Sequence, residues 1–395
     1  MRVIHVITRL IVGGAQENTV ASVLGLRRCP GLEVELVSGP TVGPEGSLED
    51  RVAAEPGCLT VLPDLIRPVR PGADWRAYRE LRDLFRHRRP TMVHTHSGKA
   101  GVLGRLAARR AGVPLILHTI HGPSFGPFQG PLANAVFRTA ERLAGRVTDH
   151  FVVVAEAMTR QYLAAGIGSP SQYTRIFSGF DLDPFLQARR KPELASRLGL
   201  QPGDFVVGKI ARLFELKGHD DLFAVAPALV RRIPRIKFLL VGDGAWRERF
   251  EAMASTPELR GHFVFAGLVP PEAVPDYVGC IDVLVHLSRR EGLPRALPQA
   301  LASGRPVVAF DCDGAGEVCR DGETGYLIPV GDRVRLEQRL VELAGDPGLR
   351  HRLGEQGRRF VADRFSVSAM VDALHALYLR LAQERGVGPA SSRTR

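Results

Sequence analysis

The stretch SRREGLPRALPQALASGRPVVAFDCDGAGEVCRDGETG, residues 288–325, decides how this 395-residue chain folds. An acid, Glu291, stands in a Gly-Leu-Pro turn ahead of an apolar run that predicts a helix over 294–303. A short β-branched strand, 306–310, follows, and then a glycine-rich loop holding a second acid, Glu317. Such units place an acid and several backbone N–H groups at the carboxyl end of a parallel sheet, where polar ligands bind in open α/β folds. Gln299, eight residues after Glu291, occupies a position where a second carboxylate is expected.

Outward from this stretch the same alternation covers the chain, which is the mark of βα units and parallel sheets. Strands are predicted at 3–7, 33–37, 91–94, 115–119, 150–154 and 173–177, then at 205–210, 237–241, 262–266, 283–286, 307–310 and 325–328. Helices are expected between them, among them 75–88, 217–231 and 245–254, and a last one at 366–383. A polar, proline-rich passage at 178–192 reads as the link between two domains. The expected plan is residues 1–185 and 186–365 as two doubly wound domains facing a cleft, helix 366–385 packing back on the first, and a disordered tail at 386–395.

The composition is that of a globular chain, 45% hydrophobic and 24% charged, with net charge +11 and pI about 9.9. The basic excess is spread over both halves and no nucleic-acid motif occurs, so nucleic-acid binding is not expected. Five cysteines (Cys29, Cys58, Cys280, Cys312, Cys319) lack any CxxC spacing, which points to a reducing, cytoplasmic setting and away from a disulfide frame or zinc site. No HExxH or Cys/His set occurs either, and no metal is expected. The chain begins on a strand-like run without a signal-peptide pattern, and no apolar run is long enough to span a membrane.

Five segments carry chemistry. Gly13 and Gly14 follow the first strand and open a helix, whose free N–H groups favour an anion or a sugar. His121 and Gly122 leave the carboxyl end of another strand and read as a ligand contact, whereas His94 and His96 read as structural. Arg212 and Lys217 flank a strand-to-helix loop, where two cations can neutralise a diphosphate without a metal. Gly242 and Gly244, in VGDG, would add backbone N–H groups to the same anion. Residues 67–89 form an arginine-rich helix with Trp75, Tyr78, Leu81 and Phe85 at helical spacing; it reads as a domain helix whose arginines also meet an anionic membrane surface.

Together, in this order and spacing, GGAQ (13–16), HTHSGKAGVLGRLAA (94–108), HG (121–122), SGFDLDPF (178–185), ARLFELKGH (211–219), VGDG (241–244), EGLPRALPQALASGRPVVA (291–309) and GAGEVCRDGETGYLIPVGD (314–332) resemble the GT4 family of retaining nucleotide-sugar glycosyltransferases with the GT-B fold. The resemblance spans about residues 1–382. It implies that Arg212 and Lys217 hold the donor diphosphate, that Glu291 lies near the donor sugar with Gly292 and Leu293, and that His121 contacts that sugar. Gly13 and Gly14 would close over the donor, Leu268 within 267–269 would lie near the base, and position 299 would bind the ribose hydroxyls. Gln299 departs from the family's E-x7-E motif; an amide still hydrogen-bonds a hydroxyl, without charge assistance. The expected activity is transfer of a hexose-type sugar, metal-independent and with retention, from a UDP- or GDP-sugar to a glycan or lipid-linked acceptor in cell-surface polysaccharide or glycoconjugate synthesis. The alternatives are a catalytically weak GT-B glycan-binding protein and a GT-B UDP-sugar epimerase.

Overall fold

The structure, a computed structural model, describes residues 1–43, 46–126 and 129–387. Contacts divide the chain into two units, Met1–Phe180 with Val367–Arg395, and Asp181–Ser366. Residues 388–395 of the expected tail lie outside the described residues.

The first unit is built on seven parallel strands, β1 (Arg2–Ile7), β2 (Glu33–Ser38), β3 (Leu59–Val61), β4 (Met92–His96), β5 (Leu115–Ile120), β6 (His150–Val153) and β7 (Tyr173–Arg175), in the order β3-β2-β1-β4-β5-β6-β7. Its helices are α1 (Gly14–Leu26), α2 (Glu49–Ala53), α3 (Pro71–Arg88), α4 (Gly98–Ala111), α5 (Pro131–Gly145) and α6 (Glu156–Ala164). The second unit has six parallel strands, β8 (Phe205–Ile210), β9 (Ile236–Val241), β10 (Phe263–Gly267), β11 (Val283–His286), β12 (Val307–Phe310) and β13 (Gly325–Ile328), in the order β10-β9-β8-β11-β12-β13. Its helices are α7 (Asp183–Leu186), α8 (Pro192–Arg197), α9 (His219–Arg232), α10 (Arg247–Ala254), α11 (Val274–Gly279), α12 (Ala296–Ala302), α13 (Arg333–Gly345) and α14 (Pro347–Ala362); α15 (Val367–Glu384) belongs to the first unit. In each sheet the strand order reverses once, between β1 and β4 and between β8 and β11. Those two switch points are where a doubly wound sheet opens to a ligand.

Side-chain parity explains both layers. On one face of the first sheet, Val3 and Ile7 of β1, Met92 of β4 and Leu117 of β5 bury against α1 and α15, through Met370, Leu374 and Leu381. On the other face Ile4, Val6, Val93 and Ile116 bury against Leu81 and Phe85 of α3 and Ala100 and Ala107 of α4. Helix α15 is held close: a Cβ on Gly25 of α1 would lie 2.3 Å from Val371 Cγ2, and Asn18 Nδ2 and the Gly179 N–H both donate to Met370 Sδ, at 3.1 and 3.2 Å. In the second unit Val207, Phe238, Leu240, Val285 and Phe310 bury against α9, α10 and α13.

The elements missing from the sequence reading are short. The passage 178–192 holds α7 and begins α8, and β3 has three residues; none spans enough of a period to show in the apolar pattern.

Candidate active site

The second unit's switch point is assembled by one close approach. After β8 the chain turns through two left-handed residues, Leu216 (φ 67°) and Gly218 (φ 68°), before α9 starts at His219. A Cβ on Gly218 would lie 1.9 Å from the carbonyl oxygen of Leu287, just past β11, so only glycine fits there. The Leu216 carbonyl accepts from the Arg289 N–H at 2.8 Å and locks the two loops together. Lys217 is thereby carried to Glu291, and its Nζ donates to Glu291 Oε1. Ser288 Oγ donates to the same oxygen at 3.2 Å, and the Glu291 N–H donates to Asp313 Oδ2 at 2.7 Å.

The site's electrostatics follow from burial beside charge. Burial would raise the Glu291 carboxyl, but the Lys217 ammonium outweighs it and holds the group below its ordinary value, so Glu291 is an ionised acceptor at neutral pH. Beneath the pair, Lys209 on β8 is buried; desolvation, with the charge of Lys217 second, lowers it to about 7. Burial also keeps His286 neutral, lowered to about 3, with its Nε2 at 3.9 Å from Glu291 Oε1. Neither ring nitrogen of His219 has a hydrogen-bond partner among the described residues. Asp221, almost fully buried, accepts from Arg289 Nη2 at 2.7 Å and from Arg333 Nε at 2.9 Å, which ties the Glu291 loop to α9.

The other predicted residues separate into groups. Arg212 is exposed on the same loop as Lys217, within 5.8 Å of the Phe214 ring, and makes no ion pair among the described residues. Gly292 and Leu293 follow Glu291; the Leu293 side chain is buried, so any ligand contact at 293 is through backbone. Gln299 lies on α12, half-buried, its side chain unbonded among the described residues. Leu268 is exposed just past β10.

Two expectations are corrected. Lys217 is not the start of a helix, because the left-handed turn at 216–218 intervenes. Gly242 and Gly244 stand ahead of α10, which begins at Arg247 and not at 245; Gly242 donates to the Gly267 carbonyl at 2.9 Å and Gly244 to Asp243 Oδ1 at 2.8 Å. These glycines also have a packing reason. Added Cβ atoms would lie 2.3 Å from the Ala211 oxygen and 2.5 Å from the Leu213 oxygen, so they let this loop support the Arg212 loop.

In the first unit Gly13 caps α1 in extended conformation and Gly14 is exposed at its first turn. His121 follows β5, and its Nε2 lies 3.0 Å from Nδ1 of His96. His5, His94 and His96 are buried with ligand-type atoms within 4.8 Å of one another, a spacing that could hold a metal ion. Every ring nitrogen of the three already has a hydrogen-bond partner. Ser288, Asp313 and the histidine cluster were missed as functional residues; HTH at 94–96 was the one signal, since alternate positions on a strand share a face.

Two doubly wound α/β units, with a cation–carboxylate pair at the switch point of the second, make the plan of a two-domain α/β protein whose polar ligand would bind at the strand ends. The sequence comparisons agree. The profile of Glycosyl transferases group 1 matches residues 190–360, and that of the Glycosyl transferase 4-like domain matches residues 13–176. A GDP-mannose-dependent alpha-(1-6)-phosphatidylinositol monomannoside mannosyltransferase of Mycolicibacterium smegmatis is 32% identical over 274 residues, 67% of this chain and 69% of the relative. A UDP-Gal:alpha-D-GlcNAc-diphosphoundecaprenol alpha-1,3-galactosyltransferase of Escherichia coli is 27% identical, over 80% and 82% of the two chains. Sucrose-phosphate synthase from Thermosynechococcus elongatus superposes with a TM-score of 0.81 at 20% identity, covering 97% of this chain and 100% of the other. Anabaena HepE in complex with UDP-glucose gives 0.78 at 20% identity, covering 96% and 99%. The chain belongs to the group 1 glycosyltransferases, and it is a GT-B glycosyltransferase.

Lys209 supplies a test of this electrostatic picture. Its pKa is lowered from 10.5 to about 7 on folding, so the unfolded chain binds more protons between those values and stability rises with pH across the window. Between about pH 7 and 9, wild type should gain roughly 2 kcal/mol in urea-unfolding free energy relative to Lys209→Met. Parallel profiles would show that Lys209 is charged in the fold.

Proposed function

We propose that this enzyme moves a hexose-type sugar from a nucleotide-sugar donor to a glycan or lipid-linked acceptor with retention of configuration, in cell-surface polysaccharide or glycoconjugate synthesis. The observation that carries the reading is the Lys217–Glu291 pair at the carboxyl ends of β8 and β11, with Arg212 exposed on the same loop. Breaking the bond to a nucleoside diphosphate builds negative charge on the leaving phosphate. Preset cations lower that barrier without reorganising, and no metal is needed for it. Lys217 is positioned by Glu291 before a donor arrives, and Arg212 can turn to a phosphate without giving up an ion pair.

Glu291, ionised, accepts hydrogen bonds from the sugar's hydroxyls in this reading. It is too acidic for a general acid at neutral pH, and retention proceeds by front-face attack with no protein nucleophile. Gln299 takes the ribose contact as a neutral amide. The names of the two relatives support a nucleotide-sugar donor, with GDP-mannose in one and UDP-Gal in the other, and a lipid-borne acceptor in both.

Such an acceptor calls for a membrane surface. Among the described residues no helix is long and apolar enough to cross one. Helix α3 buries Ala77, Leu81 and Phe85 but leaves Trp75 59% exposed, stacked on Tyr78. Beside it lies an open groove of about 670 Å³ lined by Trp75, Tyr78, Leu103, Leu106, Arg109 and Arg110, with Asp74, paired to Lys99, also on its wall. An apolar floor with a cationic rim suits the cytoplasmic, anionic face of a bilayer.

Lys217→Ala and Arg212→Ala should each lower kcat/KM for the donor by roughly 10²–10³-fold. Wild-type turnover in both would refute the site. Gln299→Glu should change the donor KM more than kcat, because the ribose contact is made equally in ground and transition states. Co-sedimentation with phosphatidylglycerol vesicles at low salt should weaken in Trp75→Ala and at high salt. Equal binding to neutral vesicles, or none at low salt, would remove the membrane contact.

A further inference from the structure

The first unit holds a hydrogen-bonded chain that the proposed chemistry does not use. Strand register creates it. His5 of β1 pairs in register with His94 of β4, and His96 of β4 with Thr119 of β5. His94 and His96 share a face, as do Thr119 and His121, and α15 covers that face with Tyr378. Thr119 Oγ1 lies 2.7 Å from His94 Nε2, and His94 Nδ1 is bonded to the Tyr378 hydroxyl. Tyr378 Oη lies 3.2 Å from His5 Nε2, His5 Nδ1 lies 2.9 Å from His96 Nε2, and His96 Nδ1 lies 3.0 Å from His121 Nε2. Each link within the chain uses a different nitrogen, so the run from Thr119 to His121 is unbroken.

Proton counting then constrains it. A neutral imidazole has one N–H donor and one acceptor nitrogen, and a phenol donates once. The four histidines are kept neutral by burial, His5 lowered to about 3 and His121 to about 4, with His94 and His96 also well below the ordinary value. With one proton per group and one bond per link, all the links must run in the same sense. In one sense His121 Nε2 donates inward and Nδ1 is left as an acceptor. In the other, Nε2 accepts and Nδ1 carries the proton. His121 Nδ1 has no hydrogen bond among the described residues, so it is the end left to a ligand. A mixed order would place two donors or two lone pairs face to face in a buried site, which is unfavourable because neither group can be solvated there.

We propose that Thr119, His94, Tyr378, His5 and His96 form a positioning relay that sets which nitrogen of His121 carries the proton. The relay makes a residue of the C-terminal helix, Tyr378, responsible for the hydrogen-bonding character that His121 presents. The arrangement also disfavours a metal at His5, His94 and His96, since an ion would have to break at least two of these bonds.

The test is the tautomer state by ¹⁵N-histidine NMR of the full-length protein. In wild type, His5, His94, His96 and His121 should each show one protonated and one unprotonated ring nitrogen, in the same sense along the chain. Tyr378→Phe keeps the ring and removes the link, and Thr119→Val removes the far end and serves if the first variant does not fold. In either, His121 should populate both tautomers. Mixed tautomers at His121 in wild type, an unchanged His121 in the folded variants, or stoichiometric zinc on these rings in the purified protein would overturn the proposal. The consequence for turnover rests on the reading of His121 as a donor-sugar contact. If that reading holds, Tyr378→Phe lowers kcat roughly fivefold, the loss of about one hydrogen bond, with donor KM little changed. A tautomer change with kcat intact would support the relay and count against that role of His121 alone.

Discussion

The close approach of Gly218 to the Leu287 carbonyl governs the candidate site. No side chain fits in that gap, and without it the turn at Leu216–Gly218 could not rest against the end of β11. Everything at the switch point follows from that contact. The Leu216 carbonyl meets the Arg289 N–H, Lys217 reaches Glu291, and Asp221 on α9 grips Arg289 and Arg333 from beneath. A cation and a carboxylate from loops some seventy residues apart thus meet before any substrate binds. Such preorganisation is what an active site for a charged leaving group requires.

The pair also sets a division of labour. In the proposed function Lys217 would be used twice, once to keep Glu291 ionised and once as a phosphate ligand. A donor diphosphate would draw the ammonium away from Glu291 and leave the carboxylate to sugar hydroxyls. His219 and His286 below the pair are neutral, so the field there is set by Arg212, Lys217 and Glu291 together with the partly protonated Lys209 and the Asp221 carboxylate.

Most of the fold was legible because fully buried parallel strands read as short β-branched runs; β8, β11, β12 and β13 fall at their predicted limits. Helix starts were less legible. Position 217 carried a helix-like apolar period, and the left-handed geometry that delays α9 depends on a tertiary contact with Leu287. The glycines of VGDG read as ligand cradles, and the structure adds a packing reason for them that the motif does not show, the close approach of two loops. Within the site, Arg212, Lys217 and Glu291 could be picked out by motif. Ser288 and Asp313 could not, since a hydroxyl and an acid in a polar loop have no periodicity. The histidine relay was hidden for a further reason: His5, His96 and Tyr378 are separated by most of the chain and meet only through strand register and the return of α15.

The central claim is that the Lys217–Glu291 pair is the donor diphosphate site. Its most direct measurement is a crystal structure of the protein with a nucleotide sugar. Diphosphate oxygens are expected within about 3 Å of Lys217 Nζ and the Arg212 guanidinium, with the sugar's hydroxyls on Glu291. A diphosphate bound elsewhere, with Lys217 still paired only to Glu291, would contradict it.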